Sequence, residues 1–370
     1  MNGPRQAPIA FFLPSLRSGG AERVILNLAQ GIAERGFPVD IVLAMAQGDF
    51  LGQVPPQIRV VDLHASRVLL GLGPLTTYLR RERPRVLISS MSHANVVALW
   101  AARLARRDTP VIVTVHSTMS QYASQQGRVA KVVWPYLLRA FYPWGSHRVA
   151  VSGGAADDLA RISGLPRYAM EVIYNPVITP AVLVSARQAP DHAWFAPGQP
   201  PVILGVGRLT RPKDFPTLIR AFAEVRRRLP ARLIILGEGE DRSELTALAS
   251  ELGVSDDVVL PGFRDNAVAY MAKSAVFVLS SAWEGLPTVL IEALAAGTSV
   301  VSTDCPSGPR EILQEGRLGV LVPVGNVAKL AAAIISVLDR PPGPVPLDAL
   351  TPFTRDAAVD HYLRLIEKPS

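Results

Sequence analysis

The sequence lacks the features that mark secreted and membrane-spanning proteins. Cys305 is the single cysteine among 370 residues, so no disulfide can form within the chain, and a reducing compartment fits best. Long apolar runs are missing near the N terminus, where residues 8–13 form a short run that Pro14 interrupts. Such a run is too short for a signal peptide or a membrane span, and we expect a cytoplasmic protein.

What is present is a large apolar fraction and an uneven charge. Hydrophobic residues make up 49% of the chain, whose length suits roughly two globular domains of about 100 to 200 residues. Residues 1–185 contain 19 Lys and Arg against 10 Asp and Glu, a net charge of +9, whereas the remaining residues carry −2. The basic first half indicates an anionic partner, such as a membrane surface, a nucleic acid or a phosphorylated substrate.

Short apolar runs alternate with helical patterns in both halves, which predicts parallel sheets with crossover helices. The predicted strands are IAFFLP, VDIVLAM, VLISSM, VIVTVH, HRVAVS and MEVIYN in the first half, and VILGVGRL, RLIILGEG, DVVLPG, AVFVLSS, SVVSTD and GVLVPV in the second. The fold class is therefore α/β, with two doubly wound, Rossmann-like domains.

The proline-rich stretch 176–201 follows neither a helix nor a strand period, and we place the join between the domains there. The predicted domains are residues 1–185 and residues 186–350. Residues 351–367 predict one further amphipathic helix, begun by Thr351 ahead of Pro352.

The stretch SAWEGLPTVLIEALAAGT, residues 281–298, places two carboxylates near a helix start. Ligands of open α/β sheets bind beyond the carboxyl ends of the strands, and Glu284 follows the strand AVFVLSS. Glu292 comes about two turns later, close to the same predicted helix face, where it can accept two hydrogen bonds from a ribose diol. The alternative is that both acids are ordinary surface charges. Free N–H groups that favour a phosphate are predicted near Gly285, Thr288 and Val289.

Loops after other strands of the second half supply cations and a glycine. Arg208 and Lys213 follow VILGVG, where they can neutralise a diphosphate, or else pair with a surface acid and cap a turn. Gly262 in LPGFRDN would let a flat base approach the backbone, although a plain turn also explains it.

Two features of the first half also fall at predicted strand ends. Gly19 and Gly20 precede a helix, which suits either a close approach of the backbone to an anion or a tight turn. His116 closes the strand VIVTVH at a carboxyl edge, where the alternative to a functional histidine is a structural one.

Together these stretches resemble the retaining nucleotide-sugar glycosyltransferases of family 4 over nearly the whole chain. The most specific motif is E-x7-E, Glu284 to Glu292, supported by GGAERV, VTVH, GVGRLTRPKDF and LPGF. The resemblance implies the GT-B fold: two facing Rossmann-like domains, the first for the acceptor and the second for the donor, an interdomain cleft, and a C-terminal helix that crosses back to the first domain. Many relatives have Gln where Pro212 stands.

The resemblance also implies roles for individual residues. Glu284 would bind hydroxyls of the donor sugar and Glu292 the ribose, while Arg208 and Lys213 would hold the diphosphate. The other implied donor contacts are Gly19 and Gly20 from the first domain, Gly262 and the backbone near Arg264 at the base, and the stretch Gly285, Leu286, Thr288 and Val289. His116 would lie beside the transferred sugar, and it joins Arg208, Lys213 and Glu284 as a predicted catalytic residue.

The implied reaction is a front-face transfer, in which the leaving phosphate takes the acceptor proton and the anomeric configuration is retained. Because the chain has no D-x-D motif, we expect no metal, and we expect no other cofactor; the two cations and the helix N terminus would meet the charge of the diphosphate. The expected substrates are a UDP-linked hexose or N-acetylhexosamine and a glycan or lipid-linked acceptor of bacterial polysaccharide synthesis. GDP-mannose is the alternative donor.

Two other classes of protein remain as alternatives. A nicotinamide-dependent oxidoreductase also has Rossmann-like domains, but GVGRLT and GEGEDR lack the third glycine of G-x-G-x-x-G. A two-domain sugar-binding protein without catalysis is normally exported, and no signal peptide is visible.

Three stretches of the basic half predict peripheral contact with an anionic membrane at the inner face of the cell. Residues 78–85 and 102–108 cluster arginines, and residues 134–144 interleave aromatic side chains with Arg139. The alternative is that the arginines are solvated and that the aromatic side chains pack a helix onto its own sheet. No nucleic-acid partner is expected.

Overall fold

The structure is a computed structural model that describes residues 6–17, 19–125 and 127–367. The chain divides into two compact units. Unit 1 consists of Met1–Pro176 and Pro352–Ser370, and unit 2 of Val177–Thr351.

Unit 1 contains a seven-stranded parallel sheet. Its strands are β1 (Ile9–Leu13), β2 (Val39–Leu43), β3 (Arg59–Asp62), β4 (Val86–Ser90), β5 (Val111–Val115), β6 (His147–Ala150) and β7 (Glu171–Val172). Between them lie the helices α1 (Gly20–Glu34), α2 (Leu72–Glu82), α3 (Ser92–Ala105), α4 (Met119–Gln125), α5 (Arg128–Phe141) and α6 (Gly153–Ser163). The strand order β3-β2-β1-β4-β5-β6-β7 reverses between β1 and β4, the kind of switch point at which ligands bind.

Unit 1 has a hydrophobic core on each face of its sheet, because successive side chains of a strand point to opposite faces. In β1, Ile9 and Phe11 join the cluster that includes Ile25 of α1, whereas Phe12 joins the cluster that includes Leu79 of α2. All of these side chains are buried. A central strand covered on both faces therefore reads as an unbroken apolar run.

Unit 2 contains a six-stranded parallel sheet. Its strands are β8 (Val202–Val206), β9 (Arg232–Leu236), β10 (Val258–Gly262), β11 (Val276–Leu279), β12 (Val300–Thr303) and β13 (Val320–Val322). Its helices are α7 (Pro180–Ser185), α8 (Phe215–Arg226), α9 (Arg242–Glu251), α10 (Ala267–Lys273), α11 (Thr288–Ala295), α12 (Pro309–Ile312) and α13 (Val327–Asp339). The order β10-β9-β8-β11-β12-β13 places its switch point between β8 and β11.

The last helix, α14 (Arg355–Glu367), returns to unit 1 and packs on α1. A Cβ added to Gly31 of α1 would lie 2.6 Å from Val359 Cγ2, so the two helices meet closely there. Arg355 donates from Nη1 to Glu34 Oε1 at 3.0 Å, and Val359 is fully buried in the core cluster of α1. Residues from the end of the chain thus complete the core of unit 1.

All twelve predicted strands are present, but the sequence does not predict β3. This edge strand has four half-buried residues and two charged side chains, so it lacks an apolar run. Arg59 lies opposite Asp40 of β2, and its Nε donates to Asp40 Oδ1 at 2.9 Å. The buried carboxylate of the neighbouring strand therefore allows a charged residue inside the sheet.

Two boundaries differ from the predictions. The units divide at Pro176, ahead of the predicted boundary at residue 185, because α7 packs against α10 and α11. The C-terminal helix begins at Arg355 rather than at Thr351: Thr354 Oγ1 accepts the N–H of Ala357 at 3.3 Å, and a 3₁₀ turn ends at Phe353. Pro352 falls inside that turn, before the cap.

The stretches that predicted membrane contact serve the fold in part. Trp144 and Phe141 pack against the core and against each other at 5.0 Å between ring centroids, as the alternative interpretation holds. Arg103 stacks on Trp144 at 4.5 Å, and Arg80 donates to the Leu104 carbonyl at 2.7 Å. None of the described helices is both long and apolar enough to span a bilayer.

Candidate active site

At the switch point of unit 2, the loops after β8 and β11 are bonded to each other. The N–H of Ala282 donates to the Pro212 carbonyl, and Ser280 Oγ donates to the Lys213 carbonyl, both at 2.8 Å. These bonds bring two predicted residues together, because Lys213 Nζ then donates to Glu284 Oε1 at 2.6 Å. The proline at 212 is thus part of the bonded loop.

The Lys213–Glu284 ion pair lies largely out of water. The side chains are 19% and 12% exposed, and Ser281 Oγ also donates to Glu284 Oε1 at 2.6 Å. No described residue donates a hydrogen bond to Glu284 Oε2. This oxygen can therefore accept a hydrogen bond from a ligand hydroxyl. The Lys213 side chain runs across Gly207, where an added Cβ would lie 3.2 Å from Cε.

Arg208 follows β8 in the same loop, and its side chain is exposed. It makes no side-chain hydrogen bond or ion pair with the residues that the structure describes. An anion can therefore bind this guanidinium without displacing a carboxylate, in contrast to Lys213.

The two acids of the E-x7-E motif do not share a helix face, so that prediction is wrong. Glu284 lies in the loop, and α11 begins only at Thr288, after Pro287 at the N-cap position. Glu292 alone lies on the helix, where it is half-buried and has an interaction partner in the protein. The EGLP segment is not helical, so counting helical turns from Glu284 does not apply.

The N terminus of α11 faces the same loop as Glu284. No neighbouring side chain caps the N–H groups of Thr288 and Val289 at this helix start. Gly285 and Leu286, which precede them, are buried. The structure therefore groups these four predicted residues along one loop and helix start.

A third loop, after β12, supports the EGLP segment, and its residues were missed by the sequence reasoning. Ser307 Oγ donates to the Gly285 carbonyl at 2.7 Å, and a Cβ on Gly308 would lie 2.5 Å from Pro287 Cδ. Thr303 Oγ1 donates to the Ser281 carbonyl at 2.6 Å. The signal for this loop was available, because SVVSTD predicts a strand that ends beside β11.

Cys305 lies in this third loop and is buried. Burial raises the pKa of its thiol to about 12, and the negative charge of Glu284 adds to the shift, whereas Lys213 opposes it. The thiol is therefore protonated at neutral pH, which makes it a poor nucleophile.

Gly262 and Arg264 lie two strands away from β8, at the end of β10. Gly262 has φ +89°, and an added Cβ would lie 2.7 Å from Glu238 Oε1. Glu238 in turn pairs with Arg242 at 2.7 Å, so the glycine leaves room for this pair. Arg264 is exposed, and its nearest hydrogen bond is to the Phe263 carbonyl at 3.4 Å.

Backbone bonds connect the loops after β8, β9 and β10. Leu209 N–H donates to the Glu238 carbonyl at 2.8 Å, and Gly237 N–H donates to the Gly262 carbonyl at 3.0 Å. Gly237 has φ +138°, and a Cβ there would collide with the Gly207 carbonyl. Close packing of adjacent loops therefore accounts for a glycine of GEGEDR without a dinucleotide fingerprint.

In unit 1, Gly19 and Gly20 begin α1 as predicted. A Cβ on Gly20 would meet nothing within 4 Å, whereas a Cβ on Gly19 would collide with the carboxylate of Glu22. An acid therefore already lies over the first turn of α1, where it interacts favourably with the helix dipole. Gly20 faces open space, which leaves room for a ligand.

His116 lies just after β5 and bonds two hydroxyl groups. Its Nε2 is 2.8 Å from Ser90 Oγ and 3.2 Å from Thr114 Oγ1. Thr114 donates its own proton to the Ser89 carbonyl at 2.9 Å, so its oxygen accepts, which favours the tautomer with the proton on Nε2. Nδ1 is buried and has no hydrogen-bond partner among the residues that the structure describes. Burial lowers the pKa of His116 to about 4, so the ring is neutral at pH 7.

Met91 occupies the switch point of unit 1, between β4 and α3. Its backbone has φ 78° and ψ 137°, which is rare for a residue other than glycine. Such strain costs about 1–3 kcal/mol and is concentrated at functional sites. No sequence pattern predicts this strain, and the neighbouring Ser90 was missed because its contact with His116 depends on side-chain geometry.

Across the described residues, no three or more His, Cys, Asp or Glu side chains are grouped so as to hold a metal ion.

Comparisons with known proteins give matches along nearly the whole chain. Residues 18–179 match the family described as Glycosyltransferase Family 4, and residues 187–348 match Glycosyl transferases group 1. The chain is 30% identical to the N-acetylgalactosamine-N,N'-diacetylbacillosaminyl-diphospho-undecaprenol 4-alpha-N-acetylgalactosaminyltransferase of Campylobacter jejuni, over 90% of each chain. It is also 30% identical to the lipopolysaccharide core biosynthesis glycosyltransferase LpsE of Rhizobium meliloti, over 95% of this chain and 96% of that one.

Solved structures show the same fold. Anabaena HepE in complex with UDP is 22% identical, with a TM-score of 0.76 over 96% of this chain and 98% of that one. Sucrose-phosphate synthase from Thermosynechococcus elongatus is 20% identical, with a TM-score of 0.81 over 97% and 98%. The two family matches and the relatives aligned along nearly their whole length lead to one conclusion: this chain is a glycosyltransferase of family 4 with the GT-B fold.

Proposed function

We propose that this glycosyltransferase transfers a hexose or N-acetylhexosamine from a UDP-sugar to a lipid-linked or glycan acceptor, with retention of the anomeric configuration. The observation that carries the proposal is the Lys213–Glu284 pair at the β8/β11 switch point, in a loop that also presents Arg208. HepE, which shares the fold, was solved with UDP, and the Campylobacter relative is named for an undecaprenol-linked acceptor.

The proposed chemistry relies on electrostatics and positioning. The bond between the anomeric carbon and the phosphate oxygen breaks as the acceptor oxygen attacks from the same face, and the acceptor proton passes to the leaving phosphate. Arg208, Lys213 and the N–H groups at the start of α11 would stabilise the charge that develops on the diphosphate. Glu284 Oε2 would accept hydrogen bonds from sugar hydroxyls and fix the donor for attack.

The remaining donor contacts are proposed by position. Glu292 on α11 would accept the ribose hydroxyls, and the backbone near Arg264, together with Gly262, would contact the base. In unit 1, Gly19, Gly20 and His116 lie at the carboxyl edge of the sheet. A neutral His116 would contact the transferred sugar without adding a positive charge. Unit 1 would bind the acceptor, and unit 2 the donor.

A panel of nucleotide sugars tests the donor. We expect UDP-hexoses or UDP-N-acetylhexosamines to raise the melting temperature more than GDP-mannose, because a ligand of the folded state stabilises it. NMR of the transferred product would give its anomeric configuration, which we expect to match the donor. An inverted product would contradict the retaining mechanism, and selective stabilisation by GDP-mannose would favour that donor.

We also propose that transfer needs no divalent metal, since two cations of the chain can meet the diphosphate. Turnover should survive EDTA, while Arg208→Ala should lose most of the rate; removal of one preorganised donor typically costs about 10²–10³ in kcat. Activity that EDTA abolishes and Mg²⁺ or Mn²⁺ restores would contradict this.

Finally, we propose that the enzyme works in the cytoplasm as a peripheral protein of the inner membrane face. Its basic residues support this, because unit 1 carries 22 Lys and Arg against 13 Asp and Glu, a net charge of +9. An anionic bilayer would attract this unit and would also hold a lipid-linked acceptor.

A further inference from the structure

Helix α5 of unit 1 has an apolar stripe that is exposed among the residues that the structure describes. Val129, Val132, Val133 and Tyr136 recur at the spacing i, i+3, i+4 and i+7, so they share one helix face. Their exposed fractions are 77%, 60%, 42% and 70%. A stripe this exposed is unusual on a helix of a monomeric protein and marks an interaction surface.

The opposite face of α5 is the one that holds the helix in the fold. Leu138 is fully buried in the core, and Trp134 and Phe141 pack against the same cluster. The buried face therefore anchors α5, and the members of the stripe are not among the described residues that form the core of unit 1.

Basic side chains lie along one edge of the stripe. Arg128, Lys131 and Arg139 belong to α5, are exposed, and make no ion pair with a described residue. At about 100° per residue, Arg128 and Arg139 project beside Val132, and Lys131 lies further toward the buried face. The helix thus presents apolar side chains flanked by unneutralised cations.

Two shallow surface pockets adjoin the same helix. One, of about 350 Å³, is lined by residues that include Lys131, Tyr136 and Arg139, and the other, of about 280 Å³, by residues that include Lys131 and Arg161. Both are open, and both are bordered by cations. This geometry suits anionic headgroups at the edge of an inserted apolar face.

We propose that the exposed face of α5 docks on an anionic lipid bilayer. Val129, Val132, Val133 and Tyr136, the α5 stripe, enter the interface to a depth of about 5–10 Å, and the basic edge contacts the headgroups. This inference rests on the proposed peripheral function and names the surface that performs it.

The charge of the surface selects the bilayer over a second copy of this chain. In a symmetric dimer through the α5 stripe, the same surface patch would meet itself. The cations of Arg128, Lys131 and Arg139 from both copies would then come together, and α5 itself contains no Asp or Glu to compensate them. An anionic bilayer supplies the opposite charge.

Vesicle sedimentation tests the proposal with the full chain. The vesicles are phosphatidylcholine alone, or phosphatidylcholine mixed with phosphatidylglycerol, at low and at high salt. We expect binding to the mixed vesicles at low salt. The double variant Lys131→Gln/Arg139→Gln should lower the partition coefficient by about 30-fold, and Val132→Gln/Tyr136→Gln by at least about tenfold.

Matched controls come from elsewhere in the chain. Leu69 and Leu70 are also exposed, at 70% and 60%, so Leu69→Gln/Leu70→Gln removes a similar apolar area. Arg227→Gln/Arg228→Gln removes two exposed arginines of unit 2. Both control variants should bind vesicles like the wild type. Circular dichroism and UDP thermal shift, unchanged in all variants, show that folding and donor binding are intact.

Several outcomes would overturn the proposal. A wild type that stays in the supernatant with mixed vesicles at low salt contradicts membrane docking, whatever the donor. Equal loss of binding in the control variants contradicts the assignment to α5. If the α5 variants bind vesicles normally but change the mass measured by light scattering, the stripe is a protein interface. A failure of UDP binding alone would contradict the donor proposal and leave the docking surface standing.

Discussion

The ion pair between Lys213 and Glu284 neutralises both charges within unit 2 before any ligand binds. Because both side chains are less than one-fifth exposed, loss of either partner leaves a poorly solvated charge. We expect Lys213→Met to lower the free energy of unfolding by about 2 kcal/mol, and Lys213→Met/Glu284→Gln to recover part of that loss. Urea unfolding measures both.

Arg208→Met provides the control for this pair. Its exposed side chain has no partner among the described residues, so its loss should change the unfolding free energy by less than about 0.5 kcal/mol. The same variant should still lose most of the transfer rate. Equal destabilisation by Lys213→Met and Arg208→Met would contradict the importance of the pair for stability.

Substitutions of Glu284 and Glu292 should differ in their effects on the affinity for UDP. Glu292→Ala should weaken UDP by about tenfold or more, since a charge-assisted hydrogen bond contributes about 1.5–3 kcal/mol. Glu284→Ala should spare UDP, because it removes a sugar contact and frees the Lys213 cation for the diphosphate, but it should impair the intact UDP-sugar. Titration calorimetry with UDP and UDP-sugar measures this. Equal UDP affinity in the wild type and both variants would contradict the assignment.

His116 should make stability depend on pH. Its folded pKa of about 4 lies below the unfolded value of about 6.5, so at intermediate pH the unfolded chain binds a proton that the folded chain excludes. The contribution of neutral His116 to the free energy of unfolding is fully present above about pH 6.5. It is lost as the pH falls toward 4, which lowers the free energy of unfolding by about 2–3 kcal/mol.

The variant His116→Gln should therefore have a flatter dependence of unfolding free energy on pH between about 6.5 and 4. Above pH 7, both proteins carry an uncharged side chain at position 116. The difference between their free energies of unfolding should therefore stay constant in that range, and it serves as the reference. Parallel curves over the whole range would show that His116 is not protected from protonation.

At the scale of elements, the sequence predicts most of the fold because parallel strands buried on both faces are apolar throughout. β3 escapes this rule, since Arg59 depends on Asp40 from another strand. The sequence also does not specify where α14 begins, because Thr351 and Thr354 are equally good N-cap residues.

The candidate site was predicted to a similar extent. Strand ends located Arg208, Lys213, Glu284 and His116, but not their partners Ser281 and Ser90, which depend on side-chain geometry. The strain at Met91 depends on backbone angles that a sequence does not specify. Helical spacing misplaced Glu284 relative to Glu292 because the EGLP segment ahead of α11 is not helical.

The contact between α1 and α14 allows a direct test. Gly31→Ala places a Cβ 2.6 Å from Val359 Cγ2, and we expect it to destabilise the protein by about 1–3 kcal/mol. Adding Val359→Ala should relieve the clash, with a coupling energy of about 0.5–3 kcal/mol in urea unfolding. Gly73→Ala on α2 is the control, because a Cβ there meets nothing within 4 Å. Purely additive effects would mean that the helices do not meet at this point.

At the scale of the whole molecule, the chain crosses between units twice, because α14 belongs to unit 1 but follows unit 2. A chain that ends at Thr351 lacks the buried Val359 and Tyr362. We expect calorimetry to show a lower melting temperature for unit 1 in this truncation, with UDP still raising the melting temperature of unit 2. Loss of UDP stabilisation would show that unit 2 depends on the last helix.

The same connectivity affects how the protein is made. A ribosome adds about 5–20 residues per second, so the 175 residues of unit 2 take about 9–35 s to follow unit 1 out of the exit tunnel. During that interval, the face of α1 that α14 later covers is exposed on a nascent chain. The first half of the protein therefore waits for the last helix to be translated, and a chaperone that binds apolar surfaces has that period in which to act.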